Sequence, residues 1–465
     1  MKYKVCLIVD NPLRDLEGIT LIAWHLAKQN ISCFIVPMYC QAFDVLSIKP
    51  DLILVNYIRP NNVNLLMRYK KENIKIAVLD TEGSPGNDMD YFAKLISKIK
   101  HRNILDLYCL WGNDQYEAFK KNNVFKNDII TITGCPRYDF CSEPYSKTLP
   151  KVLDGSNFIL INTTFPIGNP KFTKNHKFEE QAMIDMGHNK IFAKQYTKDS
   201  IEACKKMIEA VSNICKMFPQ TKIILRPHPF ESPEPYKTLN SYNNFEIRQE
   251  GSVIEWLNSC DVLLHLNCQT AIEAVMINKE PVSIEWINTP TLKSQAPPEI
   301  VSHTPKNLKE LKALIHSIIN TKKLLLKKDL IKSREALIRS RLFSNDGNSS
   351  LRVSDAINKI LKLNTNQIEC NFNKTIKYKK SLKQTLREIL GYNLFHKVRK
   401  IIQGNKSEFR RKEKSFSNSD VSKIITRLNQ TTINKQLITV FPINTKDLSI
   451  PRLFSNQTIK VTNEK

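Results

Sequence analysis

Short, wholly apolar runs alternate with stretches of helical period along this chain, and the alternation is run through twice. Residues 4–9, 32–37, 51–56, 74–79, 107–111 and 129–133 read as strands. Between them, residues 19–28, 62–72 and 114–121 carry helix-spaced apolar positions; Ile19, Ile22, Ala23, Leu26 and Ala27 share one face. A strand that is apolar at every position, not at every second one, is covered on both sides, which is the mark of a parallel sheet with crossover helices. Residues 142–157 turn polar and contain proline, a linker pattern. The alternation then restarts, with strands at 158–162, 222–226, 261–266 and 281–284 and helices at 201–215, 252–258, 270–276 and 308–319. The fold class expected is α/β, with two doubly wound Rossmann-like domains, 1–145 and 155–363, and a basic, partly helical extension, 364–465.

The length of 465 residues agrees, being too great for one core. Glycine occurs only 12 times, far below its average share of about 7%, which argues against a glycine-built phosphate loop. Lys and Arg number 70 against 45 Asp and Glu, a net +25 that draws the chain toward anionic partners. No nucleic-acid-binding motif accompanies the charge, so no nucleic acid is expected; a basic nucleic-acid- or lipid-binding adaptor stands as the rival of another class. The 11 cysteines include no C-x-x-C pair and read as reduced thiols. Residues 1–11 hold one short apolar run that soon meets Asp10, unlike a signal peptide. No run approaches the roughly 18 apolar residues of a spanning helix. A cytoplasmic protein is expected, with a peripheral seat on the inner face of the plasma membrane as the membrane alternative.

In doubly wound sheets ligands collect beyond the carboxyl ends of the strands, here in a cleft expected between two facing domains. The residues just past each strand are therefore the candidates. Asp80 and Glu82 follow the fourth strand, and a carboxylate there can accept the proton of a sugar hydroxyl. Arg226-Pro227-His228-Pro229 is a proline-stiffened turn that offers Arg226 and His228 to a departing phosphate. Asn267, Gln269 and Thr270 stand where a helix is expected to begin, and its unpaired N–H groups favour phosphate. Glu273 completes a capping box with Thr270 or holds a ribose hydroxyl. Asn162, Thr163 and Thr164 follow the first strand of the second domain and are candidates for the nucleotide; Arg14 and Asp15, in an expected loop after the first strand, are candidates for the acceptor. No metal-spaced cluster and no Asp-x-Asp motif occurs, so neither metal nor cofactor is expected.

Taken in order, Glu82-Gly83, His228-Pro229 and Gln269-Thr270 resemble the motifs of bacterial GT-B transferases that use CMP-activated acidic sugars, the sialyl and Kdo transferases. The pattern departs at Thr81, where that family has an acidic residue, and in lacking paired Ser/Thr in the last motif. Residues 79–83, 134–139 and 347–357 resemble the surface carbohydrate biosynthesis proteins. These resemblances imply an inverting, metal-independent glycosyltransferase with a nucleotide-sugar donor and a lipid-linked or polysaccharide acceptor. Same-fold alternatives are a sugar-nucleotide 2-epimerase and a CDP-glycerol-type glycerophosphotransferase.

Between Asn371 and Lys414, 14 Lys and Arg stand against three Glu. Leu382, Leu386, Ile389, Leu390, Tyr392, Leu394 and Phe395 accompany them, so a helix lying on anionic lipid is weighed against a solvated basic linker.

Overall fold

The computed structural model describes residues 3–80, 88–153, 158–173, 175–185, 188–293, 298–321, 327–363, 414–432, 437–444, 447–448 and 458–463. Two compact units emerge, Met1–Thr148 with Arg339–Lys465, and Leu149–Ile338.

The first unit opens with β1 (Tyr3–Val9), α1 (Pro12–Lys28), β2 (Ile31–Pro37), α2 (Gln41–Ile48), β3 (Leu52–Val55), α3 (Val63–Lys71) and β4 (Lys75–Leu79). It continues with α4 (Met89–Ser97), β5 (Leu107–Leu110), α5 (Asn113–Lys121) and β6 (Ile130–Ile132). In the second unit come β7 (Phe158–Asn162), α6 (His176–Asp185), α7 (Lys190–Met217), β8 (Lys222–Arg226), β9 (Phe245–Ile247), α8 (Val253–Ser259) and β10 (Val262–His265). There follow α9 (Thr270–Met276), β11 (Glu280–Ser283), α10 (Pro290–Lys293), α11 (Leu308–Thr321) and α12 (Lys328–Leu342), within which the chain passes back to the first unit. Last are α13 (Ser349–Lys362), α14 (Asn418–Asn429), β12 (Thr439–Pro442) and β13 (Ile459–Thr462).

The second unit's sheet is wholly parallel, in the order β11-β10-β7-β8-β9. Counted within that unit, this is the 3-2-1-4-5 Rossmann order, and the winding reverses between β7 and β10. The first unit's sheet runs β12-β13-β2-β1-β3-β4-β5-β6, parallel from β2 to β6. The expected pair of doubly wound α/β units is present.

Helix-to-strand turns show how a glycine-poor chain makes these folds. Asn30, Asn73, Asn123 and Asn278 take φ of 62°, 60°, 46° and 60° just past α1, α3, α5 and α9. That left-handed position after a helix is usually glycine, and asparagine is the side chain that tolerates it best.

Three expectations are corrected. Arg14 and Asp15 do not sit in a loop: Asn11 caps α1, its side chain accepting from Leu13 N at 3.1 Å, and Pro12 starts the helix, so both lie in its first turn. Residues 349–362, assigned by pattern to the second domain, lie in the first unit, because Asp139 caps them there. The buried Asp139 carboxylate accepts from Ser349 N (2.9 Å), Ser350 N (2.7 Å) and Ser350 Oγ (2.6 Å), doing for α13 what its own N-cap, Asn348, does not. Arg352 Nε donates to Thr133 O at 2.8 Å, and Gly134, at φ +80°, leaves no room for a side chain against Ser349. Two of the family-resembling stretches, 134–139 and 347–357, are thus the two halves of one clasp. Asp139→Ala strands two buried N–H groups and a hydroxyl and is expected to cost about 2–4 kcal/mol of stability, measured by denaturant unfolding; loss below ~0.5 kcal/mol removes the clasp as a stabilising element.

The third correction concerns the extension. Residues 418–429 form α14 on α1, where Arg427 pairs with Glu17 and Trp24 Nε1 donates to Asn429 Oδ1 at 3.0 Å. β13 adds antiparallel to β2, with Val461 opposite Cys33. Residues 382–395, singled out for a membrane-lying helix, fall outside the described residues.

Candidate functional site

The carboxyl edge of the second unit's sheet gathers most of the candidates. Register aligns Arg226 with Asn162 and Asn162 with His265, and His265 with Ser283, a polar row across four strand ends. Asn162 Nδ2 donates to Thr270 Oγ1 (3.0 Å), which donates to Cys268 Sγ (3.1 Å). The buried Asn162 Oδ1 has no hydrogen-bond partner. Thr164, Phe165, Tyr196, Leu266, Asn267 and Leu292 line a cavity of about 120 Å³.

The turn carrying His228 is held by a residue that sequence reasoning did not single out. Glu231, fully buried, accepts from Thr163 Oγ1 (2.8 Å), Phe165 N (3.1 Å), Asn169 Nδ2 (3.4 Å), His228 N (3.4 Å) and the Tyr236 hydroxyl. Burial pushes its carboxyl up, and the Tyr236, Phe165, Thr163 and Asn169 donors draw it back. One carboxylate thereby knits the loop after β7 to the loop after β8. The available signal was its place: an acidic residue three positions past a strand-end histidine, in a turn already stiffened by Pro227 and Pro229. Phe230 N donates to His228 Nδ1 at 3.2 Å, so in the neutral imidazole the proton rides on Nε2.

Arg226 is engaged differently from expectation. Its two terminal nitrogens donate to Glu250 O (2.6 Å) and Gly251 O (3.0 Å), and its guanidinium lies 5.0 Å from the Trp256 ring centroid. Burial lowers its pKa to about 10, so it stays a cation at neutral pH, spent on fixing the loop after β9.

Around Thr270 the expected capping box is absent: Gln269 is the N-cap of α9 and makes no side-chain cap bond. The box forms on α8 instead, between Ser252 and Glu255. Glu273 is buried within α9. Asn267, at φ +55°, exchanges two 3.0 Å amide bonds with Asn288, which anchors the start of the turn. His265, not a candidate, proves to be a packing histidine: Cys268 N donates to Nδ1 (3.4 Å), Nε2 meets Ser302 Oγ (2.8 Å), and burial lowers its pKa to about 3. It is neutral at physiological pH and brings no charge to a phosphate.

In the first unit, Asp80 is buried at the end of β4 beside Tyr108, whose phenol is pushed up by burial and by the Asp80 charge. Glu82 lies outside the described residues. Arg14 binds Asp15 (Nε to Oδ1, 2.6 Å) and Asp10 (3.3 Å), and Lys414 from the extension also pairs with Asp10. Asp15 is buried in turn, accepting from Asn11 N at 3.0 Å. The two proposed acceptor contacts thus form an ion cluster at the end of β1. Among the described residues, no group of His, Cys, Asp and Glu is placed to hold a metal ion.

No protein-family model matches the chain, and no curated protein does. Solved structures do resemble it. The UDP-GlcNAc 2-epimerase of Methanocaldococcus jannaschii, in complex with UDP-GlcNAc and UDP, is 13% identical over 77% of this chain and 99% of its own, with a TM-score of 0.47. S. aureus MnaA, with UDP, is 13% identical over 78% and 98%, TM-score 0.47. The wall teichoic acid polymerase TagF is 14% identical over 79% and 90%, TM-score 0.49. The fold of this chain is defined by its own two sheets.

Proposed function

We propose that the chain is a GT-B-type glycosyltransferase that takes a sugar from a nucleotide-activated donor, a CMP-linked acidic sugar being the donor its motifs resemble most, and passes it to a surface polysaccharide or lipid-linked acceptor. The observation that carries this reading is the topological reversal between β7 and β10, where open α/β sheets bind nucleotides. Flanking it are the His228 turn on one side and the Asn267–Thr270 turn on the other, with Thr163 and Thr164 between.

In this reading the second unit binds the donor phosphate. An acceptor hydroxyl oxygen attacks the anomeric carbon, its proton passing to a carboxylate of the 80–82 segment, Glu82 or Asp80. The bond from the anomeric carbon to the phosphate oxygen breaks, and the nucleotide leaves with the electron pair, its new charge met by the His228 imidazole. Arg226 contributes by holding the loop after β9. Arg14 and Asp15 orient the acceptor. The +25 net charge suits an anionic membrane surface as the place where a lipid-linked acceptor is met. No helix among the described residues is long and apolar enough to cross a membrane.

The test is nucleotide release from CMP-sugars, UDP-GlcNAc and CDP-glycerol, with products identified. His228→Ala and Glu82→Gln are each expected to slow transfer by roughly 10²–10⁴. Interconversion of UDP-GlcNAc with its 2-epimer, or glycerol phosphate transfer, in place of glycosyl transfer would replace this reading by one of its same-fold rivals. Full activity in both variants would remove the assigned roles.

A further inference from the structure

Beside His228 the second unit carries an aromatic step that no role assigned so far uses. Phe230 is 36% exposed, an unusual setting for a phenylalanine whose backbone is pinned on both sides. Its N–H donates to His228 Nδ1 (3.2 Å), and its carbonyl accepts from Lys171 N (3.0 Å). The next residue, Glu231, pairs with Pro170 in an isolated antiparallel bridge and holds the buried carboxylate network. Phe172, half-buried, packs its ring against Phe230 at a centroid distance of 5.8 Å and an interplanar angle of 62°. The His228 and Phe230 rings are also 5.8 Å apart. Lys171 Nζ stands 5.8 Å from the Phe172 centroid. A single exposed apolar side chain is ordinary. Two edge-packed rings on a backbone fixed by main-chain bonds, contiguous with an imidazole that presents an Nε2 proton, are a built surface.

We propose that Phe230, backed by Phe172, is the stacking platform for the nucleobase of the donor, placed so that the phosphate of the same nucleotide lies at His228. This rests on the reading of the second unit as the donor-binding unit and deepens it. A nucleotide carries its phosphate and its base on either side of one ribose, and the imidazole and the Phe230 ring are side by side at that kind of spacing. Every base has a π-face, so the platform binds the base without choosing it. The Lys171 ammonium adds a positive charge beside the two rings, which favours an anionic ligand. The identity of the nucleotide is then read elsewhere.

The experiment removes the base from the ligand and the ring from the protein, separately and together. Kd values for CMP, UMP and ribose 5-phosphate are measured by calorimetry on the full chain as wild type, Phe230→Ala, Phe230→Leu and Phe230→Tyr. In the wild type the two nucleotides are expected to bind about tenfold tighter than ribose 5-phosphate, the scale of one base stacked on one ring. That ratio is expected to fall close to unity in the Ala and Leu variants and to return in Tyr, while ribose 5-phosphate binding stays constant throughout. A ratio that persists in Phe230→Ala overturns the platform and leaves donor binding by this unit standing. Equal loss of all three ligands overturns it too, since that marks a structural residue. If the wild type binds none of them, the donor-site reading itself falls and the platform with it.

Discussion

Deleting residues 414–465 is expected to leave the first unit unable to fold. Phe416, Val421, Ile424, Ile425, Leu428, Ile438, Ile459 and Val461 are buried, with α14 packed on α1 and β13 paired with β2. Burying one such side chain stabilises by about 1.5–3 kcal/mol, so these eight together are worth as much as the roughly 5–15 kcal/mol by which a whole domain is stable. The deletion also opens the β2 edge to pairing with other chains and leaves Asp10 and Glu17 without Lys414 and Arg427. The fragment 1–413 should be insoluble or lack a cooperative thermal transition. A soluble fragment melting within a few degrees of the full chain would show that the extension is dispensable. The same geometry decides how membrane binding is to be tested. Truncation at 371 would unfold the first unit and so say nothing about lipid; neutralising the basic residues between 371 and 413, with 414–465 kept, isolates their charge. Loss of binding to anionic liposomes only, on that substitution, is the outcome the membrane reading expects.

Replacement of Glu231 should have the next largest effect. Glu231→Ala leaves five donors around a hole: two hydroxyls, two backbone N–H groups and the Asn169 amide. An unsatisfied buried group costs about 1–3 kcal/mol, and part of the loss relaxes away, so a fall on the order of 4 kcal/mol is expected. Function should suffer more than stability, because the loops after β7 and β8 lose their common anchor, and a misplacement of about 1 Å costs roughly 10²-fold in rate. Glu231→Gln keeps one acceptor oxygen but turns an N–H₂ toward donors; about 1–3 kcal/mol is its expected cost. Denaturant unfolding and nucleotide release on the two variants give both numbers. If Glu231→Ala unfolds like the wild type and turns over normally, the carboxylate does not organise the site.

Much of the frame was legible in the chain. The strands of both sheets, apart from β9, β12 and β13, announce themselves as continuous apolar runs, since burial on both faces demands it. The strand-end rule then pointed to Asn162, His228 and Thr270 without any structure. Where the structure departs from what the local sequence suggests, the cause is a partner distant in sequence. Arg226 has the look of an anion donor, but its choice of Glu250 and Gly251 carbonyls depends on where β9 ends. Asp139 and Ser349 are 210 residues apart, and nothing local in either says that one caps the other.

What the sequence by itself determined is the periodicity: which runs become strands, which become helices, and that strands β1 to β11 lie in parallel sheets, because these follow from local burial on one face or two. The Asn30 and Asn73 turns belong with it, as a left-handed residue is a local property. What only the tertiary structure decided is pairing. Residues 349–362 follow the second domain in the chain yet close the first, because the buried Asp139 carboxylate needs their N–H groups. Residues 414–463 carry a basic, polar composition on average, yet the few apolar side chains of α14 and β13 find a face of α1 and the edge of β2. Composition averages over a segment; packing selects the handful of side chains that meet a surface, and that surface exists only once the rest of the unit has folded.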